Sequence, residues 1–301
     1  MRISPSTTFL LFTLFASFIS HPLKGKVEPL PHVIKTSKKL YQLSVSEIDS
    51  LTRDISRTHF TMAEKIATYS WLALGTPYVR GCLGEGTHGK YDKDPLIDFS
   101  RVDCMTFCEQ VLALAISKNY QDTFHNLQKI RYQNGTISFT TRNHFAMADW
   151  LPHNQWLLRD ITEEKGGPLC KEMIKTINRR AFAASFGCDD TGSLTPLQRL
   201  RIKYLPKKYL FTIVDKLQGS EIMVLITTRE GIFASHLGFI IKSKKGSLLF
   251  RHASLTHKKV IDEPYEEFCR RVKSDQNSAG ITLIEAFWNQ QMEVNEHLQS
   301  R

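Results

Sequence analysis

Cys104, His236 and His252 are the residues of this chain whose types and order could carry covalent chemistry. A thiolate is a strong nucleophile, an imidazole can take the thiol proton and return it to a leaving amine, and a third polar group can fix the imidazole's tautomer. Cys104 lies in Arg101-Val102-Asp103-Cys104-Met105-Thr106-Phe107-Cys108-Glu109. Ser100 or Asp103 can cap a helix there, and Phe107, Val111, Leu114 and Ala115 recur at helical spacing. The unpaired N–H groups of a helix's first turn favour a thiolate, so the position predicts a lowered thiol pKa. Taken alone, Cys104 fits better as a small apolar residue on a core-facing helix, and either histidine as a surface or hydrogen-bonded core residue.

The elements that must position these side chains are legible in part. Residues 221–227, 236–241 and 247–252 are β-rich runs separated by Glu230-Gly231 and Lys245-Gly246, which predicts an antiparallel meander carrying both histidines. His236 starts one strand and His252 ends the next, an arrangement compatible with contact. Upstream, Ser44 with Glu47 and Thr61 with Glu64 have capping-box spacing, and the second helix stops at Gly75. Residues 81–98 read as a long loop beside the thiol, a length that is usually functional. Phe124, Leu127 and Ile130 mark a helix that ends at Asn134-Gly135, followed by a short strand at 136–139. Residues 166–208 read as an insertion with a helix over about 173–184; a helix at about 264–274 and a strand at 281–287 close the pattern.

Composition sets the setting. With 301 residues and 42% hydrophobic side chains the chain can bury a full core. Its formal charge of +10 suits an anionic partner such as a cell envelope. The sequence has no basic run interleaved with aromatics, no zinc spacing and no recognition-helix signature, which argues against nucleic acid. Arg2 followed by an apolar run over residues 9–19 reads as a signal peptide over 1–20, so export to the periplasm or cell envelope is expected. Phe18 makes a poor cleavage site, which leaves an uncleaved anchor open. Residues 21–44 read as a linker or arm and 45–301 as a single domain. No disulfide is assigned among the six cysteines.

Four ordered motifs resemble a known family: Gly75-Thr76-Pro77-Tyr78-Val79, Val102-Asp103-Cys104, Ser235-His236-Leu237-Gly238 and His252-Ala253-Ser254. They are similar to those of the NlpC-type, papain-like cell-wall cysteine hydrolases. Cys104-Met105-Thr106-Phe107 with Arg142-Asn143-His144-Phe145 and Asp149-Trp150 further resembles the N-acetylmuramoyl-L-alanine amidase-like subfamily. The resemblance spans roughly residues 60–287. It implies an α+β, papain-like fold with the nucleophile helix packed on an antiparallel sheet, plus helical insertions. It also implies Cys104 as nucleophile, His236 as base and then acid, His252 as orienting group, and Tyr78 as a pocket residue near the thiol. Arg142, Asn143 and His144 carry over as substrate-binding candidates, with fixing of the loop as the structural alternative. No metal or cofactor is implied, and the partner is peptidoglycan or a muropeptide. The expected reaction is cleavage of the muramoyl-L-alanine amide. The alternatives are a γ-D-glutamyl-diaminopimelate endopeptidase and a non-catalytic muropeptide-binding protein. The chain departs from the family at Gly219-Ser220-Glu221, where such proteins commonly carry Gly-Asp.

Overall fold

The computed structural model describes residues 36–192, 194–243 and 245–288; the expected signal peptide and most of the arm lie outside these residues. Among the described residues no helix is long and apolar enough to cross a membrane. Helices α1 (Val45–Ser56) and α2 (Met62–Leu72) begin at Ser44 and Thr61, and both form the expected capping boxes with Glu47 and Glu64. Each cap satisfies otherwise unpaired N–H groups and stabilises its helix by about 1 kcal/mol. After α2 the chain turns at Gly75, whose φ of +89° suits a residue without a Cβ.

Helix α3 (Cys104–Ile116) is buried continuously from Thr106 onward. It is apolar nearly all round because neighbours cover it on several sides, among them α2, α4 (Tyr120–Arg131) and the sheet. The expected strand at 136–139 is absent: Ser138 accepts from the Thr141 N–H and closes a 3₁₀ turn over Phe139–Thr141. A π-helical turn, Ala146–Trp150, and the short α5 (Leu151–His153) lead to β1 (Leu158–Asp160) and α6 (Thr162–Gly166).

The region 166–208 corrects the sequence reading. Residues expected to begin a helix at 173 instead form β2 (Lys171–Ile177), and only α7 (Arg179–Ser185) is helical. β2 pairs along its whole length with β3 (Gln198–Pro206), from Lys171↔Tyr204 to Ile177↔Gln198. Met173 and Ile177 fit a helical spacing equally well in sequence, and the ladder supplied by β3 decides between the two. Rather than a helical insertion, this hairpin extends the sheet.

A 3₁₀ segment, Lys207–Lys216, then leads to β4 (Ile222–Thr227), β5 (Ala234–Lys242), β6 (Leu248–Ser254), β7 (Lys259–Pro264), α8 (Tyr265–Ser274) and β8 (Ser278–Ala286). The antiparallel sheet has the order β2-β3-β8-β4-β5-β6-β7, with β1 also on β8. At the departure before β4, the Glu221 carboxylate accepts from the N–H groups of Gln218 and Gly219 and holds the turn. The fold is thus mixed α+β around an antiparallel sheet. One face packs on α1 to α4 through residues such as Val224, Leu237 and Phe239. The other packs on α8 and the 3₁₀ segment through Met223, Ile240 and Phe250. The alternation of Phe239 and Ile240 between these two cores is the two-residue period of a strand buried on both faces.

Candidate active site

Cys104 is the first residue of α3 because Asp103 caps the helix: Asp103 Oδ1 accepts from the Thr106 N–H at 2.8 Å, and Thr106 Oγ1 accepts from the Asp103 N–H at 2.8 Å. Asp103 Oδ2 also accepts from the Gly81 N–H at 3.0 Å, which ties the start of the 81–98 loop to the same cap. One turn along, Phe107 meets Phe239 edge-to-face with ring centres 5.6 Å apart, fixing α3 across β5. The result is that the Cys104 sulfur lies against the backbone N–H of Leu237, the residue after His236.

The two histidines meet on the sheet. The β5–β6 register pairs Phe239 with Arg251, so one step further Gly238 faces His252, and His236 lies on the diagonal. A Cβ on Gly238 would stand 2.7 Å from the His252 Cβ and 2.5 Å from the Arg251 carbonyl oxygen. Glycine there clears the space, and His236 Nε2 approaches His252 Nδ1 to 2.8 Å. His252 is itself buried and stacks on Phe250, with ring centres 4.7 Å apart and planes 17° from parallel. No hydrogen bond joins the Cys104 thiol to the His236 ring in this structure.

The electrostatics correct the expectation of a lowered thiol pKa. Burial, reinforced by the Asp103 carboxylate, pushes the Cys104 thiol up to about 12. The N–H groups of Leu237, Met105 and Cys104 pull the other way without prevailing. Burial likewise lowers His236 to about 3, with His252 and Arg271 adding to the effect. The two shifts favour an uncharged thiol and an uncharged imidazole. Tyr78 stands near the thiol, held by a bridge between its strand-like segment and Val102 and by donation from its N–H to the Lys258 carbonyl. Burial, then Cys104 and Asp103, raise its phenol to about 12, so it stays a hydrogen-bond donor.

Arg142, Asn143 and His144 form a separate cluster. Arg142 donates to Glu85, Asp92 and the Leu83 carbonyl, anchoring the 81–98 loop. Asn143 is buried, donating to the Ile130 carbonyl and meeting His153 Nδ1 at 2.7 Å. His144 Nε2 lies 2.8 Å from the Phe139 carbonyl oxygen, and burial followed by the Arg142 charge lowers its pKa to about 3. Arg142 and His144 line a cavity of about 420 Å³ with Phe139, Arg179 and Phe182, and none of Cys104, His236 or His252 reaches it. The loop-fixing alternative therefore accounts for the bonds these three residues make.

All six cysteines carry free thiols. Cys108, one turn inside α3, is fully buried, and burial raises its thiol well above the usual range. Sequence reasoning did not single out Glu263, whose Oε2 lies 3.3 Å from His252 Nε2. It also passed over Arg271, which donates from Nη2 to that carboxylate at 2.7 Å. Among the described residues no group of three or more His, Cys, Asp or Glu is placed to hold a metal ion.

Comparison with known proteins bears on the family and the fold. The AmiA-like family, described as N-acetylmuramoyl-L-alanine amidase-like, matches residues 68–278, more than half of the chain. No functionally curated protein matches. Among solved structures, a Legionella pneumophila protein of the family designated DUF1460 is similar at 25% identity, covering 81% of this chain and 94% of that one, with a TM-score of 0.72. An N-acetylmuramoyl-L-alanine amidase from Bacteroides uniformis is similar at 23% identity, covering 76% and 99%, with a TM-score of 0.61. A Bacteroides fragilis protein provisionally described as a xylanase is similar at 26% identity, covering 72% and 98%, with a TM-score of 0.55.

Proposed function

The chain belongs to the AmiA-like, N-acetylmuramoyl-L-alanine amidase-like family, and from that premise we propose that it is a peptidoglycan amide hydrolase working through Cys104 on an NlpC-type, papain-like scaffold. The observation that carries the reading is the Cys104 sulfur at the capped start of α3, set against the residue that follows His236, with His236 hydrogen-bonded to His252. The amide expected to be cut joins the lactyl group of N-acetylmuramic acid to L-alanine, as the family description and the name of the B. uniformis relative suggest. An exported enzyme would meet this substrate in the envelope, where the +10 charge favours retention.

The mechanism follows from an uncharged resting pair. As the sulfur attacks the carbonyl carbon, the thiol proton passes to His236 Nδ1, the ring nitrogen not engaged by His252. The attack and the turn of either side chain that it needs occur together, because a free thiolate is disfavoured in this setting. The Tyr78 hydroxyl and the Cys104 N–H are suitable donors to the oxyanion. The C–N bond then breaks, His236 protonates the departing amine, and a thioester remains. Water, deprotonated by His236, releases the muramic acid and restores the thiol.

A glycosidase would instead require two carboxyl groups facing a cleft. Asp103 is committed to the helix cap and Glu263 to Arg271, and neither forms such a pair. The test is digestion of purified muropeptides by the wild-type protein and Cys104→Ala under reducing conditions, read by mass spectrometry. Free muramoyl and L-alanyl termini, lost with the thiol, support the amidase. A cut after γ-D-glutamate redirects the specificity to the endopeptidase, and wild-type turnover by Cys104→Ala overturns the mechanism.

A further inference from the structure

The proposed base and two ionisable groups beyond it lie on a single diagonal. β6–β7 pairs Phe250 with Glu263 and His252 with Ile261, so Glu263 lies diagonal to His252 just as His252 lies diagonal to His236. His236, His252 and Glu263 therefore occupy one face of three successive strands. His236 Nε2 and His252 Nδ1 are 2.8 Å apart, and His252 Nε2 and Glu263 Oε2 are 3.3 Å apart. His252 Nε2 is buried and lacks a well-aligned hydrogen bond, although Glu263 stands within reach. Arg271 on α8 holds the carboxylate through Nε at 3.3 Å and Nη2 at 2.7 Å.

This arrangement bears on which histidine nitrogens carry protons. For His236 Nδ1 to accept the thiol proton it must be bare, so the His236 proton sits on Nε2 and is donated to His252. His252 can accept it only with a bare Nδ1, which puts its own proton on Nε2. A carboxylate facing Nε2 favours that tautomer; an unpaired Nε2 would leave both tautomers open, and the wrong one would turn an N–H of His236 toward the thiol.

We propose that Glu263 is a positioning residue for this site: by accepting the Nε2 proton of His252 it sets the tautomers of both histidines and leaves His236 Nδ1 bare as the base, while Arg271 holds Glu263 in place. The proposal rests on the Cys104 reading above. Burial works to raise the Glu263 carboxyl, but the nearby His252 ring and the bonds from Arg271 outweigh it and hold it down at about 2, so it is ionised wherever the enzyme would work. Phe250 stacked on His252 and Phe268 on α8 keep the ring plane fixed, which leaves the tautomer as the variable that Glu263 controls.

The test uses the full chain labelled with ¹⁵N-histidine. The expected spectrum has His252 protonated on Nε2 and bare on Nδ1, and Glu263→Ala should mix the two tautomers. With muropeptide substrate, Glu263→Ala should lower kcat roughly tenfold to a hundredfold at nearly constant KM. Arg271→Gln, at an exposed position that folding tolerates, should lower kcat by about two- to fivefold. A wild-type His252 protonated on Nδ1 overturns the proposal, as does a folded Glu263→Ala variant with kcat within about twofold of wild type. Full turnover by Cys104→Ala would instead remove the thiol reading and leave the tautomer result standing on its own.

Discussion

Two polar clusters, one around Arg142 and one on β5–β7, differ in what they leave free. The Arg142–Asn143–His144 cluster directs its donors inward, to Glu85, Asp92, Leu83, Ile130 and the Phe139 carbonyl. The β5–β7 cluster is just as buried, yet it ends in a thiol and a ring nitrogen with no hydrogen bond between them. Both contain histidine in an apolar setting, and burial lowers His144 and His236 alike to about 3. Uncommitted hydrogen-bonding capacity on a rigid frame, rather than residue type or a shifted pKa, separates a candidate site from a structural clamp.

Substitutions in the two clusters should split cleanly. Cys104→Ala is expected to lower kcat/KM by about 10⁴-fold or more while leaving the melting temperature nearly unchanged. Arg142→Ala should do the reverse. It strands the Glu85 and Asp92 carboxylates, and chemical unfolding should register a loss of about 3–5 kcal/mol. A stable Arg142→Ala protein that has lost muropeptide binding would return this residue to the substrate and erase the contrast.

Gly238→Ala tests whether the histidine contact depends on bare backbone. The added methyl collides with the His252 Cβ and the Arg251 carbonyl, so unfolding should show about 1–3 kcal/mol of destabilisation together with impaired turnover. A fully active and stable alanine variant would mean that β6 has room to move.

The pH dependence of stability sharpens the comparison further. His144 and His236 stay neutral in the fold below the 6.5 at which they protonate when unfolded. The unfolded state then binds more protons, and each histidine removes up to about 1.4 kcal/mol per pH unit as pH falls from 6.5 toward 3. Glu109, raised to about 7 by burial despite Arg131, acts in the opposite sense between 7 and 4.5. Glu263, lowered from 4.5 to about 2, adds to the loss below 4.5. Melting curves should therefore change little near neutrality, fall moderately between pH 6.5 and 4.5, where two histidines outweigh Glu109, and drop more steeply below pH 4.5, with a smaller drop in His144→Phe.

The smallest expected effect is on thiol reactivity. Iodoacetamide should label Cys104 at pH 7 no faster than an ordinary cysteine, with the rate still rising above pH 9, because burial raises the thiol. Rapid labelling with an inflection below pH 7 would show a thiolate–imidazolium pair at rest instead.

Much of this was readable from local patterns. Capping boxes at Ser44 and Thr61, the helix after Asp103 and the apolar strands around His236 and His252 are local in origin, because caps and periodicity act within a few residues. The short polar strand β7 was not, since Val260 and Ile261 alone give no clear alternation and its pairing comes from β6. Glu263 was missed for that reason; Arg271 lies on the expected helix α8, but without Glu263 nothing marked it as part of the cluster.

By itself the sequence determined which residues could carry chemistry, where the helix that begins with Cys104 starts, and the family. Tertiary structure decided what those residues can do. It converted an expected thiolate into a half-buried thiol held neutral, because desolvation by the surrounding core outweighs a few backbone dipoles. It turned residues 171–177 into a strand and committed Arg142 to a loop. It also brought His236, His252 and Glu263 onto one diagonal, because strand register joins residues far apart in the chain and no local pattern encodes it.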